Sequence, residues 1–389
     1  NDGDTDIIAT ALNDDQVILY TNETSGLATS SFVANTISTS ADGVKSVYAA
    51  DIDNDGDMDL ISSSYNDDAI AWYENNGAVN PSWTAADIST SADGATAVFV
   101  ADMDNDGDLD IVSASPNDNT IAWYENNGAE NPSWSAADIT TSETGIVNLF
   151  VADMDNDGDL DIVSASDGSA PISWYENNGA ENPSWSISNI SSSADGLGGL
   201  FVADMDNDGD LDIVCSSHND DAIAWYENDG ATNPSWASEN IATSADGAKD
   251  VFVADMDGDG DMDIVSASYN DNTIAWYENN GAANPSWTAS DIVSNAQGAT
   301  SVIAVDIDSD GDLDIASTSY LNDAITLYEN DGSTNPSWST TVISTSADAA
   351  NDITAADIDG DGDMDLISAS GNDDKIAWYQ NSAGRNAPQ

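Results

Sequence analysis

The sequence predicts an all-β chain folded as a single β-propeller of four-stranded blades. Three observations predict it. A nine-residue motif returns every 51 residues, each period holds short strand-like runs separated by dense turn signals, and no segment shows helical periodicity. The fixed interval means that the units stack into one object, overriding the two or three domains that 389 residues would otherwise imply.

The motif is D-x-D-x-D-G-D-[LM]-D, with copies beginning at Asp51, Asp102, Asp153, Asp204, Asp255, Asp306 and Asp357. The unit around the second copy serves for all. Ala97–Ala101 is a short apolar run that leads into the motif at Asp102–Asp110, and Leu109–Ala114 is again strand-like. Pro116-Asn117-Asp118-Asn119 is a turn. Thr120–Glu125 reads as a third strand, with Ile121 and Trp123 on one face and Ala122 and Tyr124 on the other. Both faces are apolar, as a blade packed between two neighbours requires. Asn127-Gly128 ends that strand, a loop runs through Asn131-Pro132-Ser133-Trp134, and Ala136–Thr140 is a fourth, more polar strand.

The predicted propeller spans residues 1–380, with an incomplete first unit over 1–45, seven units from about 46 onward and a tail over 381–389. Hairpins of the second and third strand number eight, from Ile7–Tyr20 to Leu366–Tyr379, which favours eight blades over seven. The sequence opens part-way through a copy of the motif (Asp2, Asp4, Asp6), which predicts residues upstream of it.

Charge is the other dominant feature. There are 73 acidic residues against four basic ones, Lys45, Lys249, Lys375 and Arg385, for a net charge of −69. The seven motifs hold 35 of the acids, and seven divalent cations would offset about 14 charges, so metal binding explains only part of the excess. The rest favours a soluble, self-repelling surface suited to salt, and predicts a halophilic or marine source. Such a surface excludes nucleic-acid binding and anionic membranes, and there is no apolar run of 18 residues to insert into a bilayer. The single cysteine, Cys215, stands where other units carry Ala or Ser and reads as a small buried filler.

Alternate carboxylates in a tight loop are oxygen ligands for a hard cation. In the second copy Asp102, Asp104 and Asp106 turn inward, Gly107 takes the left-handed backbone that reverses the loop, the main-chain carbonyl of Asp108 faces the ion, and Asp110 closes the shell. Leu109 anchors the loop in the core. Calcium suits this set better than magnesium, which demands a stricter octahedron, or zinc, which prefers Cys and His. About seven Ca2+ sites are expected. The ligands are Asp51, Asp53, Asp55, Asp57 and Asp59; Asp102, Asp104, Asp106, Asp108 and Asp110; Asp153, Asp155, Asp157, Asp159 and Asp161; Asp204, Asp206, Asp208, Asp210 and Asp212; Asp255, Asp257, Asp259, Asp261 and Asp263; Asp306, Asp308, Asp310, Asp312 and Asp314; and Asp357, Asp359, Asp361, Asp363 and Asp365.

This string resembles the calcium loop of FG-GAP repeats, also called VCBS-type repeats, which build integrin-α-like β-propellers. In that family the loop joins the first two strands of a blade, and motif positions one, three, five, seven (through the main chain) and nine bind the ion. All seven complete copies match at those positions. The FG and GAP signatures are absent, with Phe-Val-Ala-Asp near their place, which sets the chain closer to bacterial or archaeal surface versions than to integrins.

The expected function is a non-enzymatic, extracellular or cell-surface propeller that serves adhesion or assembly, with other copies of itself, cell-surface proteins or glycans as partners. Seven equivalent acidic clusters argue against an active site, which is usually one asymmetric departure from a scaffold. An alternative is a carbohydrate-binding propeller using the loop tryptophans Trp83, Trp134, Trp185, Trp236, Trp287 and Trp338. A polysaccharide-degrading enzyme is a weaker third reading, because four basic residues leave little to hold an anionic polymer.

Overall fold

Among the described residues strand follows turn because each strand is at most seven residues long and most end at Asx, Gly or Ser clusters. The computed structural model describes residues 41–78, 82–167, 172–357 and 364–370 continuously, together with the strands at 2–3, 7–10, 17–20, 34–38, 360–361 and 375–379 and residue 381.

Six four-stranded antiparallel blades succeed one another. The first is built from Val44–Ala50, Asp59–Ser64, Ala69–Asn75 and Trp83–Ser89, and the second from Ala97–Ala101, Asp110–Ser115, Thr120–Asn126 and Trp134–Thr140. The remaining four begin at Ile146, Leu197, Ala248 and Ala299 and end at Ser191, Ala242, Val293 and Ser344. A partial seventh blade has three strands, Ala350–Ala356, Asp365–Ser370 and Lys375–Tyr379. The N-terminal strands Ile7–Thr10, Val17–Tyr20 and Ala34–Ser38 form a separate three-stranded sheet, whose first strand packs against the partial blade and against the first strand of the first blade. Asp2–Gly3 pairs in parallel with Gly360–Asp361 in the seventh motif.

The expectation of eight blades is therefore corrected to six complete blades and a partial seventh. Counting hairpins overstated the number, because among the described residues the N-terminal hairpin has a flanking fourth strand but no first, and the last hairpin a first strand but no fourth.

Within a blade the second and third strands are buried and the fourth is the exposed outer edge. The two faces of the third strand serve different interfaces. Ile121 and Trp123 pack toward the third blade, among Ile146, Leu149 and Val151. Ala122 and Tyr124 pack toward the first, among Ile61, Ile70 and Trp72. The sixth blade carries Leu327 in the tryptophan position and is 8 % exposed there, still within the core. Cys215 is fully buried in the interface of the third and fourth blades, and burial pushes its thiol up to about 12.

The first strands surround the axis. Tyr48, Phe99, Phe150, Phe201 and Phe252 stand at equivalent positions on successive first strands, half-buried, with ring centroids 4.9–5.3 Å apart. Near its start the first strand carries a register shift in most blades, for example between Ala248 and Asp250 and between Ala299 and Ser301. Such a bulge opposes two residues to one and re-aims a side chain.

Candidate metal centre

In the six complete blades the motif fills the turn from the first to the second strand. In the second blade the chain leaves the first strand at Ala101 and re-enters the sheet at Asp110. Two left-handed residues make the reversal possible. Asn105 has φ 60°, which asparagine tolerates, and Gly107 has φ 97°, which favours glycine. Asn54, Asn156, Asn207 and Ser309 repeat the first conformation in other copies.

The loop then wraps around its leading carboxylate. Asp102 accepts the backbone N–H of Asp106 on one oxygen (3.1 Å) and that of Gly107 on the other (2.9 Å), while Asp106 accepts the N–H of Asp108 (3.0 Å). The same bonds recur at Asp51, Asp153, Asp204, Asp255 and Asp306.

Carboxylate oxygens converge as a result. In the second, third and fourth copies, positions one, three and nine (Asp102, Asp104, Asp110; Asp153, Asp155, Asp161; Asp204, Asp206, Asp212) offer oxygens within 4.8 Å of one another. In the first and fifth copies positions one, three and five do so (Asp51, Asp53, Asp55; Asp255, Asp257, Asp259). The position-seven side chain turns elsewhere. The carboxylate of Asp108 lies against Gly128 so closely that any Cβ there would overlap it, and Asp57, Asp159, Asp210, Asp261 and Asp312 meet Gly77, Gly179, Gly230, Gly281 and Gly332 alike. Position seven is left with its main-chain carbonyl to offer. In the seventh copy Asp359 and Asp363 lie outside the described residues, as does the side chain of Asp361, between Asp357 and Asp365.

Position nine is both anchor and candidate ligand. Asp110 is fully buried, accepts the N–H of Asn126 (2.8 Å) on one oxygen and that of Met103 (3.1 Å) on the other. In the first blade Asp59 also accepts the indole N–H of Trp72 (3.0 Å). Burial pushes Asp59, Asp110, Asp161, Asp212, Asp263 and Asp314 up to about 7 despite these donors. Position three is raised as well: burial first, then the neighbouring aspartates, lift Asp53, Asp104, Asp155, Asp206, Asp257 and Asp308. Clustered carboxylates that resist ionising fit a bound cation, and an all-oxygen donor set fits calcium.

The sequence did not disclose what ties the loops together. Asn177, at the end of a third strand, donates to the carbonyl of Leu160 in its own loop (3.1 Å) and to that of Met103 in the loop of the preceding blade (3.0 Å). Asn126, Asn228, Asn279 and Asn330 repeat this clasp. A second tie runs from Asn105, Asn156 and Asn207 to the position-seven carboxylates Asp159, Asp210 and Asp261 of the following loops, at 2.7–3.1 Å. The only signal in the sequence was the recurrence of Glu-Asn after Trp-Tyr.

The loop tryptophans also find their place. Trp134, Trp185, Trp236, Trp287 and Trp338 are half-buried and pack into the interface with the preceding blade, beside its third-strand Trp72, Trp123, Trp174, Trp225 and Trp276. Trp287 meets Trp225 edge-on at 6.5 Å.

A sequence profile described as an FG-GAP-like repeat matches seven times, over residues 1–62, 51–113, 102–164, 153–215, 204–266, 255–317 and 310–368. No curated protein shows significant sequence similarity to the chain. Among solved structures, BBS1N in complex with ARL6DN is similar with a TM-score of 0.56 at 11 % identity, covering 95 % of this chain and 99 % of that one. The Vibrio cholerae biofilm matrix protein Bap1 gives 0.51 at 13 % identity (98 % and 88 %). A protein from Lactobacillus plantarum gives 0.54 at 14 % identity (84 % and 95 %). At these identities the likeness is one of fold.

Proposed function

Since the chain belongs to the FG-GAP-like repeat family, we propose that it is a non-enzymatic calcium-binding propeller that works outside the cell as an adhesion or assembly module, with Ca2+ holding the first hairpin of each blade. The observation that carries this reading is the convergence of carboxylate oxygens within 4.8 Å in successive copies of one loop. Without a cation, five carboxylates in nine residues repel one another. With one, the loop becomes a rigid corner that the asparagine clasps join to its neighbours.

Repetition supports the module reading over an enzyme. The loops place equivalent chemistry at the same end of every blade, and an array of equal surfaces suits many weak contacts made together. Partners are other copies of the chain, cell-surface proteins or glycans. The extracellular setting follows from calcium, which is plentiful there, and from a surface whose charge is tolerable in salt. Glycan binding through the loop tryptophans is the less supported route, because those rings are spent on blade packing.

The test is aggregation of beads coated with the protein, with calcium or with a chelator. Calcium-dependent clustering, or calcium-dependent capture of cells, is expected. Beads that stay dispersed and bind no cells in both conditions contradict the adhesive role.

A further inference from the structure

The end of the propeller opposite the calcium loops holds a cavity of about 320 Å3 at the axis, formed by the starts of the first strands. Two adjacent positions from every unit line it, Lys45-Ser46 in the first blade and their equivalents at 51-residue intervals. Here the repeat breaks down. The motif aspartates are identical in all seven units, whereas at these two positions no residue type occurs more than twice in seven. Two of the four basic residues of the whole chain, Lys45 and Lys249, line this one space.

Facing the cavity are two carboxylates that serve no motif. The hydroxyl of Ser301 lies 2.8 Å from Asp250 and 3.2 Å from Asp352, so three successive blades contribute to one group. A hydroxyl has a single hydrogen and satisfies one of these acceptors at a time. Asp250 is further fixed by the N–H groups of Val251 (2.9 Å) and Val302 (3.0 Å), and Asp352 by that of Ile353 (2.9 Å). Burial raises both, Asp250 to about 7 and Asp352 to about 6. Room for Asp250 comes from the adjacent blade, where a Cβ on Gly199 would stand 2.5 Å from its carboxylate and 2.6 Å from the Val251 nitrogen.

The rest of the lining is small and mostly polar, with Thr96, Ala97, Val147, Asn148, Gly198 and Gly199. Behind this lining, two residues farther along each first strand and on the same face, runs the arc from Tyr48 to Phe252, which stops at Ile303 and Thr354, in the blades that carry Ser301 and Asp352. The cavity thus combines an acidic corner and two lysines in a small, polar lining, with the aromatic arc behind it, at a volume near the lower end of small-ligand sites, roughly 300–1,000 Å3.

We propose that this axial cavity is a binding site for a small zwitterion carrying an ammonium and a carboxylate group. The ammonium supplies the hydrogens that Ser301 cannot give to both Asp250 and Asp352. The carboxylate is received by Lys249 and by Lys45, whose ammonium lies 5.6 Å over the Tyr65 ring and turns in to meet it, and the apolar part of the ligand points toward the aromatic arc behind the lining. A simple cation leaves the lysines unmatched, and a simple anion leaves the carboxylates so. The site is separate from the calcium loops and does not depend on them for its chemistry.

Isothermal titration of the calcium-loaded full chain tests it with three matched probes: L-phenylalanine, phenethylamine and phenylacetate. L-Phenylalanine is expected to bind at least tenfold more tightly than either singly charged analogue. Asp352→Asn and Lys249→Met are each expected to weaken it tenfold or more, with melting temperatures recorded to show that the variants fold. Gly199→Ala, which pushes a methyl against Asp250, should reduce binding too. Absence of L-phenylalanine binding, equal affinity for the three probes, or folded variants that bind like the parent overturns the proposal. A calcium stoichiometry that falls by one ion in Asp352→Asn overturns it as well, by showing the acidic corner to be a metal site.

Discussion

Replacing Asn177 by alanine isolates the tie between neighbouring loops. The side chain is 2 % exposed, donates to the Met103 and Leu160 carbonyls and accepts the N–H of Gly179 at 3.1 Å. Three bonds at about 0.5–1.5 kcal/mol net each, with a buried carbonyl of the preceding blade left unpaired at about 1–3 kcal/mol, place the combined loss at about 2.5–7.5 kcal/mol. Asn178 next to it is the control. It only accepts the exposed Ser184 N–H (2.8 Å), so Asn178→Ala should cost about 1 kcal/mol or less. Urea unfolding of both variants in calcium, followed by tryptophan fluorescence, gives the comparison. Calcium affinity should also fall in Asn177→Ala, because Met103 and Leu160 belong to two different loops. Equal losses in the two variants, or a loss below about 1 kcal/mol for Asn177→Ala, would show that the blades are held by side-chain packing alone.

Three further outcomes are expected. Gly128→Ala should destabilise more than Gly107→Ala: both need positive φ, but only at Gly128 does the new methyl overlap a motif carboxylate, that of Asp108, and calorimetric melting ranks them. Trp123→Leu should be tolerated within about 1.5 kcal/mol, since Leu327 occupies the equivalent place, while Trp123→Ala should cost about 3–5 kcal/mol in denaturant titration. In the metal-free protein, stability should fall as pH rises from about 4 to 7. The six buried position-nine aspartates titrate near 7 when folded and near 3.9 when unfolded, so the native state holds the extra protons in that window. Calcium requires the ionised form and reverses the slope, and a metal-free melting temperature that climbs between pH 5 and 7 refutes the assignment.

Much of this architecture was legible because it is local and repeated. The motif fixes where first and second strands meet, Gly107 marks the reversal, and the two apolar faces of Ile121–Tyr124 announce a strand held between neighbours. The blade number was not legible, since a hairpin pattern is silent about whether flanking strands complete the sheet. The asparagine clasp was hidden for a different reason. Glu-Asn-Asn-Gly reads as turn chemistry, and only the superposition of blades brings Asn177 to a carbonyl 74 residues earlier. Position nine was read as a ligand alone, yet two backbone amides also claim Asp110, which depends on how deeply it is buried. The axial cavity was visible only as two positions where the repeat loses its regularity.

The most direct test of the calcium account is a melting experiment on the purified chain with calcium and after exhaustive chelation, alongside a count of bound ions. About seven ions per chain and a large, reversible drop in melting temperature on chelation are expected, because each ion stabilises the folded state by its binding free energy. An unchanged melting temperature, or no bound calcium at millimolar concentration, contradicts it.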